Sequence, residues 1–210
     1  MKNITLPLLL LAMALPVHAD TLGIKLGADV WHLNSKVENN SSSDDTTGSY
    51  YVAVEHFFPL VPNLRLRQTN VDTRDLEFKQ TDITGYYQML DNGVMTFDLG
   101  LTMSHFGQGQ LSNTPQTAQG FDKWHPSLYG NVEIGVPASD FIIFTDLQFS
   151  NINNTSVVDG QAGLMYAFAT MGSEVRIRGG YRMMDYDFEW VEGNGESESH
   201  GWFAGVEFSF

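Results

Sequence analysis

Period-two alternation runs through this chain almost from end to end. In 94–106, Met95, Phe97, Leu99, Leu101 and Met103 share one face, and Thr96, Asp98, Gly100, Thr102 and Ser104 the other. Segment 21–33 sets Leu22, Ile24, Leu26, Ala28 and Val30 against Gly23, Lys25, Gly27, Asp29 and Trp31. Segment 157–169 sets Val158, Ala162, Leu164, Tyr166 and Phe168 against Asp159, Gln161, Gly163 and Met165. Segment 174–186 sets Val175, Ile177, Gly179, Tyr181 and Met183 against Arg176, Arg178, Gly180 and Arg182. Successive side chains of a strand point to opposite faces, so each segment reads as a two-faced strand. The pattern predicts ten strands, at 21–33, 49–58, 64–72, 77–90, 94–106, 126–136, 141–151, 157–169, 174–186 and 199–210, with eight as the alternative count. No helical period competes, and turn residues separate the segments, so the fold is an all-β barrel or sandwich.

Alternation alone does not say which face is outside. A soluble periplasmic β-protein would bury the Leu/Phe phase. Three features point that phase outward instead. The polar phase holds many small residues (Gly23, Gly27, Gly100, Ser104, Gly135, Gly163, Gly180, Gly205), which suit a narrow lumen. The apolar phase carries aromatics near the strand ends (Tyr50, Phe58, Tyr87, Phe141, Phe149, Phe168, Trp202, Phe210), as interfacial girdles do. Connections also alternate in length. Pro59–Asn63, Asp91–Gly93, Pro137–Asp140 and Thr170–Ser173 are short; Asn34–Gly48, Gly107–His125 and Asp187–Glu198 are long, with shorter links near Thr73–Leu76 and Ile152–Ser156. Turn lengths agree with the phases: Asp91-Asn92-Gly93 supplies the odd loop its flanking strands need, with Gly93 at a left-handed position, and Pro137-Ala138-Ser139-Asp140 supplies an even one. The expectation is an antiparallel up-and-down transmembrane barrel. Ten strands about 4.8 Å apart give a backbone diameter of about 20 Å, which side chains narrow or close.

Residues 1–19 read as a secretory signal peptide: Lys2, an apolar stretch from Ile4 to Leu15, and Val17-His18-Ala19 before Asp20. That leaves 20–210 as one barrel domain. The apolar stretch is too short for a spanning helix, so a membrane protein of this sequence must be a closed barrel. There is no cysteine, hence no disulfide and no lipoprotein anchor. The net charge of −14 becomes −15 once Lys2 leaves, which excludes nucleic acid as a partner.

Six bases fall in the inward phase: Lys25, Arg65, Arg67, Arg176, Arg178 and Arg182. Lys36, Arg74 and Lys123 fall in loops, and Lys79 outward near a strand end. No base is then forced against hydrocarbon, where a midplane Arg or Lys costs about 2–4 kcal/mol. The inward acids are Asp29, Glu55, Asp82, Asp98, Glu133, Asp146, Asp159 and Glu207. If the Pro59–Asn63 turn sets the register, Glu55 faces Arg67; Arg65, Arg67 and Asp82 lie on neighbouring strands. Near-balance of charge suits a salt-bridged plug; a selectivity ring in a narrow pore is the other reading. Asp185, Asp187, Glu189, Glu192, Glu196 and Glu198 make the last long loop acidic, a solvated outer loop with weak divalent-cation binding at a lipopolysaccharide surface as its functional alternative. Trp190 occupies the glycine position of a calcium loop, which rules out an EF-hand. No cofactor or metal site is expected.

The last strand runs to the final residue, with Trp202, Ala204, Val206, Phe208 and Phe210 on one face. It resembles the C-terminal strand of bacterial outer-membrane β-barrels, whose terminal aromatic is read by the assembly machinery; Trp202, Val206, Phe208 and Phe210 would carry that signal. The stretch from Val61-Pro62-Asn63-Leu64-Arg65 to Tyr86-Tyr87-Gln88-Met89-Leu90-Asp91-Asn92, then Leu99-Gly100-Leu101, makes the chain similar to small outer-membrane barrels, in particular a family of marine γ-proteobacteria. The resemblance implies the outer membrane, lipid and lipopolysaccharide around the barrel, and periplasmic chaperones and the barrel-assembly machinery during biogenesis. It brings no activity, and a monomer is expected. Omptin-like proteases are also ten-stranded and use rim Asp and His; His105, His125, His200, Asp122 and Asp185 are the rim candidates here, and Ser104-His105 does not reproduce the lipid A deacylase pattern. The functional readings are a structural or surface-interaction barrel with a salt-bridged interior, a narrow passive channel for small solutes or ions, and a surface enzyme or adhesin acting through its loops. Catalysis is not expected.

Overall fold

The computed structural model describes residues 22–37, 40–72, 76–112, 118–170, 172–187 and 196–210. Ten antiparallel strands form it: β1 (Leu22–Val37), β2 (Asn40–His56), β3 (Asn63–Asp72), β4 (Leu76–Asp91), β5 (Met95–Ser112), β6 (Ala118–Gly135), β7 (Phe141–Ile152), β8 (Thr155–Thr170), β9 (Ser173–Asp187) and β10 (Glu196–Ser209). Each pairs with its sequence neighbours, and β1 pairs with β10 from Lys25–Ser209 to Val37–Ser197, so the sheet closes. Phe210 extends the seam: its N–H donates to the Ile24 carbonyl at 2.9 Å and Ile24 N–H donates back at 3.1 Å. Closure leaves no sheet edge along the seam, the usual liability of an all-β chain.

The apolar phase faces out. Leu101 is 65 % exposed, and Leu64, Leu99, Leu128, Ile143, Leu164 and Ile177 are exposed with it. The opposite phase is buried in the bore. Inward glycines make room there. A Cβ on Gly27 would lie 2.1 Å from the Tyr51 ring, and one on Gly100 would lie 2.7 Å from Tyr86 Cβ. Both tyrosines therefore lie against the barrel wall.

The short turns, the start of β1 at Leu22 and Phe210 share one end of the barrel, the turn end. Gly93 (φ +72°), Gly172 (φ +82°) and Ala138 (φ +60°) supply the left-handed positions there. Asn92 Oδ1 accepts from the Val94 and Met95 amides at 3.1 and 2.9 Å and fixes that turn. At the other end β7 and β8 join through Asn153-Asn154 alone, with φ of 53° and 56°, a two-residue turn of the kind that matches strand twist.

Three expectations need correction. The long connections Asn34–Gly48 and Gly107–His125 are mostly strand: β1 and β2 run to Val37 and from Asn40, β5 and β6 to Ser112 and from Ala118. Lys36 and Lys123 thus lie in strands, not loops. Ladder hydrogen bonds need no apolar side chain, so these hairpins continue where Ser, Asn and Gly read as loop. The register of β2 and β3 also differs. The turn starts at Phe57, where Phe57 and Phe58 stack at 4.3 Å, and Asn63 Oδ1 accepts from the His56 amide at 2.9 Å. Arg67 therefore pairs with Tyr51, not Glu55. The signal-peptide residues 1–19, Arg74, Glu189, Trp190 and Glu192 lie outside the described residues.

Ladder pairing between β6 and β7 stops at Leu128–Phe149. Pro126 follows outward on β6 and has no N–H to extend it. Pairing between β2 and β3 stops likewise at Ser49–Thr69. The rim of the long-hairpin end is thus divided into two sheets.

Candidate functional site: the barrel bore

The bore is layered. At the turn end, Lys25 Nζ pairs with Glu55 Oε1 at 2.8 Å and Tyr86 donates to the same oxygen at 2.8 Å. Arg176 reaches Glu133 at 3.1 Å, Glu207 at 3.1 Å and Glu174 at 2.5 Å. Asp98 accepts from Asn131 Nδ2 at 3.2 Å. Lys25, Glu55, Tyr86, Asp98, Asn131, Glu133 and Glu207 border a cavity of about 40 Å³ that extends to Tyr51, Arg65, Asp146 and Arg178. It has room for about two or three water molecules.

Deeper in, the side chains cross the lumen. Arg65 of β3 donates to Asp146 of β7 at 2.5 Å and to Tyr129 of β6 at 3.0 Å. Arg178 of β9 lies 3.1 Å from Asp29 and donates to Tyr51 of β2 at 3.0 Å; Tyr51 in turn donates to Glu207. Next come Arg67, Asp82, Asp159 and Arg182. Arg67 Nε donates to Asp82 at 2.8 Å, and its Nη2 crosses from β3 to Asp159 on β8. Arg182 binds Asp159 through Nε at 3.0 Å and Nη2 at 2.9 Å. Gln80 and Ser104 donate to Asp82 as well. Aromatic faces cover the guanidinium planes: Arg65 on Tyr51 (4.5 Å), Arg178 on Phe144 (4.8 Å) and Arg182 on Trp31 (5.0 Å). Pairing, hydrogen bonding and stacking together are what buried charge requires.

Beyond this belt toward the long-hairpin end, the bore is apolar. Trp31, Leu33, Val71, Phe78, Phe106, Val157, Met184 and Tyr186 are buried there. Phe78, Phe106 and Tyr186 meet at 5.5 to 6.1 Å between ring centres, and Tyr186 Oη donates to Gln80 at 2.7 Å. Sequence reasoning left this cap out. Its signal was present, because each member continues the inward phase of its strand past the last charged residue.

All fourteen predicted interior charges stand in or border the bore: Lys25, Asp29, Glu55, Arg65, Arg67, Asp82, Asp98, Glu133, Asp146, Asp159, Arg176, Arg178, Arg182 and Glu207. Glu55 is held by Lys25 and Tyr86 instead of Arg67. Trp202 and Val206 face outward, and Phe208 and Phe210 are partly covered near the seam.

Of the rim candidates only His105 and Asp122 meet; His125 and His200 have other partners. His105 stacks on Trp124 at 4.6 Å and bonds Asp122 at 2.8 Å, with Asp122 exposed. Ser104, one residue away, faces the bore. His125 is buried and bonds Ser150 at 2.9 Å; His200 bonds Tyr181 at 2.6 Å. Asp185 sits opposite Glu198 in the outermost part of the β9–β10 hairpin. Partial burial and the carboxylates of Glu198 and Asp187 raise its carboxyl above the ordinary aspartate value. No group of three or more His, Cys, Asp or Glu able to hold a metal occurs among the described residues.

No protein-family model and no curated protein matches the chain. Solved structures similar to it are outer-membrane proteins. Ail, the attachment invasion locus protein of Yersinia pestis, in complex with the heparin analogue sucrose octasulfate, is 10 % identical with a TM-score of 0.44, covering 91 % of this chain and 100 % of that one. The β domain of the Bordetella autotransporter BrkA is 12 % identical with a TM-score of 0.45, covering 91 % and 99 %. The outer membrane protease OmpT from Escherichia coli is 8 % identical with a TM-score of 0.40, covering 94 % and 98 %. At such values the likeness carries no functional inference, and the barrel assignment rests on the strand register above.

Proposed function

We propose that this chain is an integral bacterial outer-membrane barrel that does not conduct, with a structural or surface-interaction role. The observation that carries the reading is the bore: ion pairs from Arg65 and Arg67 cross the lumen, and an apolar cap closes the end beyond them. A wet, continuous path is what a passive channel would need, and the charged layer and the cap both stand in its way. The exposed Leu/Phe/Ile belt supports membrane residence, since so large an apolar surface is otherwise an association site. Within the same reading, Trp202, Val206, Phe208 and Phe210 form the assembly signal, lipid and lipopolysaccharide surround a monomer, and an export signal precedes the barrel. Kinship with short γ-proteobacterial barrels belongs to it as well, carried by Val61–Arg65 and Tyr86–Asn92. Catalysis forms no part of it: His105 pairs with Asp122, but His125 bonds Ser150 and His200 bonds Tyr181, so the rim histidines do not gather around one reacting point.

The test is current across a planar lipid bilayer holding the folded mature protein, with folding verified by heat-modifiable gel mobility. Silence is expected from the wild type, and from Arg65→Ala, because the Arg67 layer and the cap remain. Stable single-channel steps in the wild type, altered by Arg65→Ala, would replace this reading with the channel.

A further inference from the structure

The connection between β2 and β3 differs in kind from the other short turns. Residues 57–62, Phe-Phe-Pro-Leu-Val-Pro, contain no polar side chain, whereas Asp91-Asn92-Gly93 and Pro137-Ala138-Ser139-Asp140 are mostly polar or small. Phe57, Phe58, Leu60 and Val61 are all exposed, Leu60 to 90 %. Turns in water favour Gly, Asn, Asp and Ser, and a contiguous exposed apolar patch marks a contact surface. The turn leans on the outer face of the barrel. Pro62 lies over Gly85, where a Cβ would come 3.7 Å from the proline ring. Gly85 stands between Leu64 and Leu101 of the lipid belt. Tyr87, exposed on the same face, donates to the Leu60 carbonyl at 3.3 Å, and His56 Nε2 donates to the Pro62 carbonyl at 3.2 Å.

We propose that this turn is a membrane anchor, seated in the periplasmic phospholipid leaflet at the boundary of headgroups and acyl chains. The proposal rests on the outer-membrane reading above. Two observations choose lipid over a periplasmic protein. The first is continuity with the lipid belt: Leu22 pairs with His56, Leu64 pairs with Gly85, and Tyr87 holds Leu60, all on the outward face. The second is a backbone suited to a site short of water. Pro59 and Pro62 have no N–H, Val61 N–H donates to the Phe58 carbonyl at 3.4 Å, and Tyr87 and His56 occupy two further carbonyls. Open backbone groups are costly in lipid. The Val61–Phe58 bond also closes a β-turn with Pro59 at its second position, which sets Leu60 at the tip. Phe57 and Phe58 stack beside it at 4.3 Å. Phe and Leu are the side chains that interfacial segments bury in that boundary.

The test is electron paramagnetic resonance on the mature barrel folded into phospholipid vesicles. The chain has no cysteine, so Leu60→Cys, Leu101→Cys and Ala138→Cys each carry a single nitroxide, on the turn, the belt and another turn of the same end. Collision with oxygen, which partitions into lipid, is compared with collision with a water-soluble nickel chelate. The expected result is a label at 60 that meets the nickel chelate several-fold less than the label at 138, with oxygen access as high as at 101. Nickel access at 60 equal to that at 138, with 101 shielded, would overturn the anchor and leave membrane residence standing; the patch would then face water or a periplasmic partner. A label at 60 shielded from both collision partners would overturn it too, in favour of contact with a second copy. Nickel access at 101 would refute membrane residence itself, and the anchor with it. Should Leu60→Cys fail to fold, Val61→Cys is read by the same outcomes.

Discussion

Trp202 and Trp31 lie on neighbouring strands, and Trp202 pairs in register with His32, the residue after Trp31. One is 70 % exposed and the other 0 %. The pair separates the two regions of the molecule, belt and bore. In the belt, side chains such as Leu101 and Ile177 need only be apolar, because their stabilisation comes from transfer into hydrocarbon. In the bore, each charge needs a particular partner. Arg67 serves Asp82 beside it and Asp159 across the lumen, and Arg182 serves Asp159 from another strand. The same period-two rule produces both faces, yet one tolerates substitution and the other does not.

The sharpest break in that comparison is Asp159→Ala. It leaves Arg67 and Arg182 buried with their shared acceptor gone, and should cost about 3–5 kcal/mol, read by chemical unfolding in lipid vesicles. A loss below about 1 kcal/mol would mean that water replaces the carboxylate and that the charged layer of the bore is wet. Phe106→Ala removes a ring from the centre of the cap and should cost about 3 kcal/mol. On the outer face, Leu101→Arg should cost about 2 kcal/mol or somewhat more, while Leu101→Val stays within about 0.5 kcal/mol. Equal tolerance of Leu101→Arg and Leu101→Val would remove the distinction between the two faces.

The smallest effect is a pH dependence in the outer hairpin. Asp185 has a raised carboxyl pKa in the fold, so the folded chain holds that proton more tightly than the unfolded one. Its contribution is fully present below the ordinary aspartate value and is lost as pH rises through the raised one. Asp185→Asn should therefore flatten the stability profile in that window and leave the barrel as silent in a planar bilayer as the wild type. An unaltered slope would show that Glu198 and Asp187 are too well solvated to act on it.

Much of this was legible residue by residue. The alternation of 94–106 placed Leu101 outside and Thr102 inside, and the inward phase gathered Lys25, Arg65, Arg67, Arg176, Arg178 and Arg182 in one bore. Gly93 and the Pro137–Asp140 loop matched their turns because loop parity follows from strand phase. The partners were not legible. Arg67 meets Asp159 and Arg65 meets Asp146 across a lumen whose geometry depends on how the sheet closes, which no local pattern encodes. Glu55 was misplaced because Phe57 and Phe58 stack and start the turn early. Hairpin lengths were underestimated where polar residues stand in strand on both faces. The apolar cap escaped notice because Phe78, Phe106 and Tyr186 occur at strand ends, where apolar residues read as interface instead of bore.

The inside-out arrangement is tested most directly by fluorescence quenching in brominated lipid. Single-tryptophan variants retaining Trp202, Trp124 or Trp31 would be folded into vesicles of lipids brominated along the acyl chain. Strong quenching of Trp202 and Trp124 with Trp31 spared is the predicted result, since Trp31 is enclosed over Arg182. Quenching of Trp31 as strong as that of Trp202 would contradict the account, because the apolar and polar phases would then not divide belt from bore.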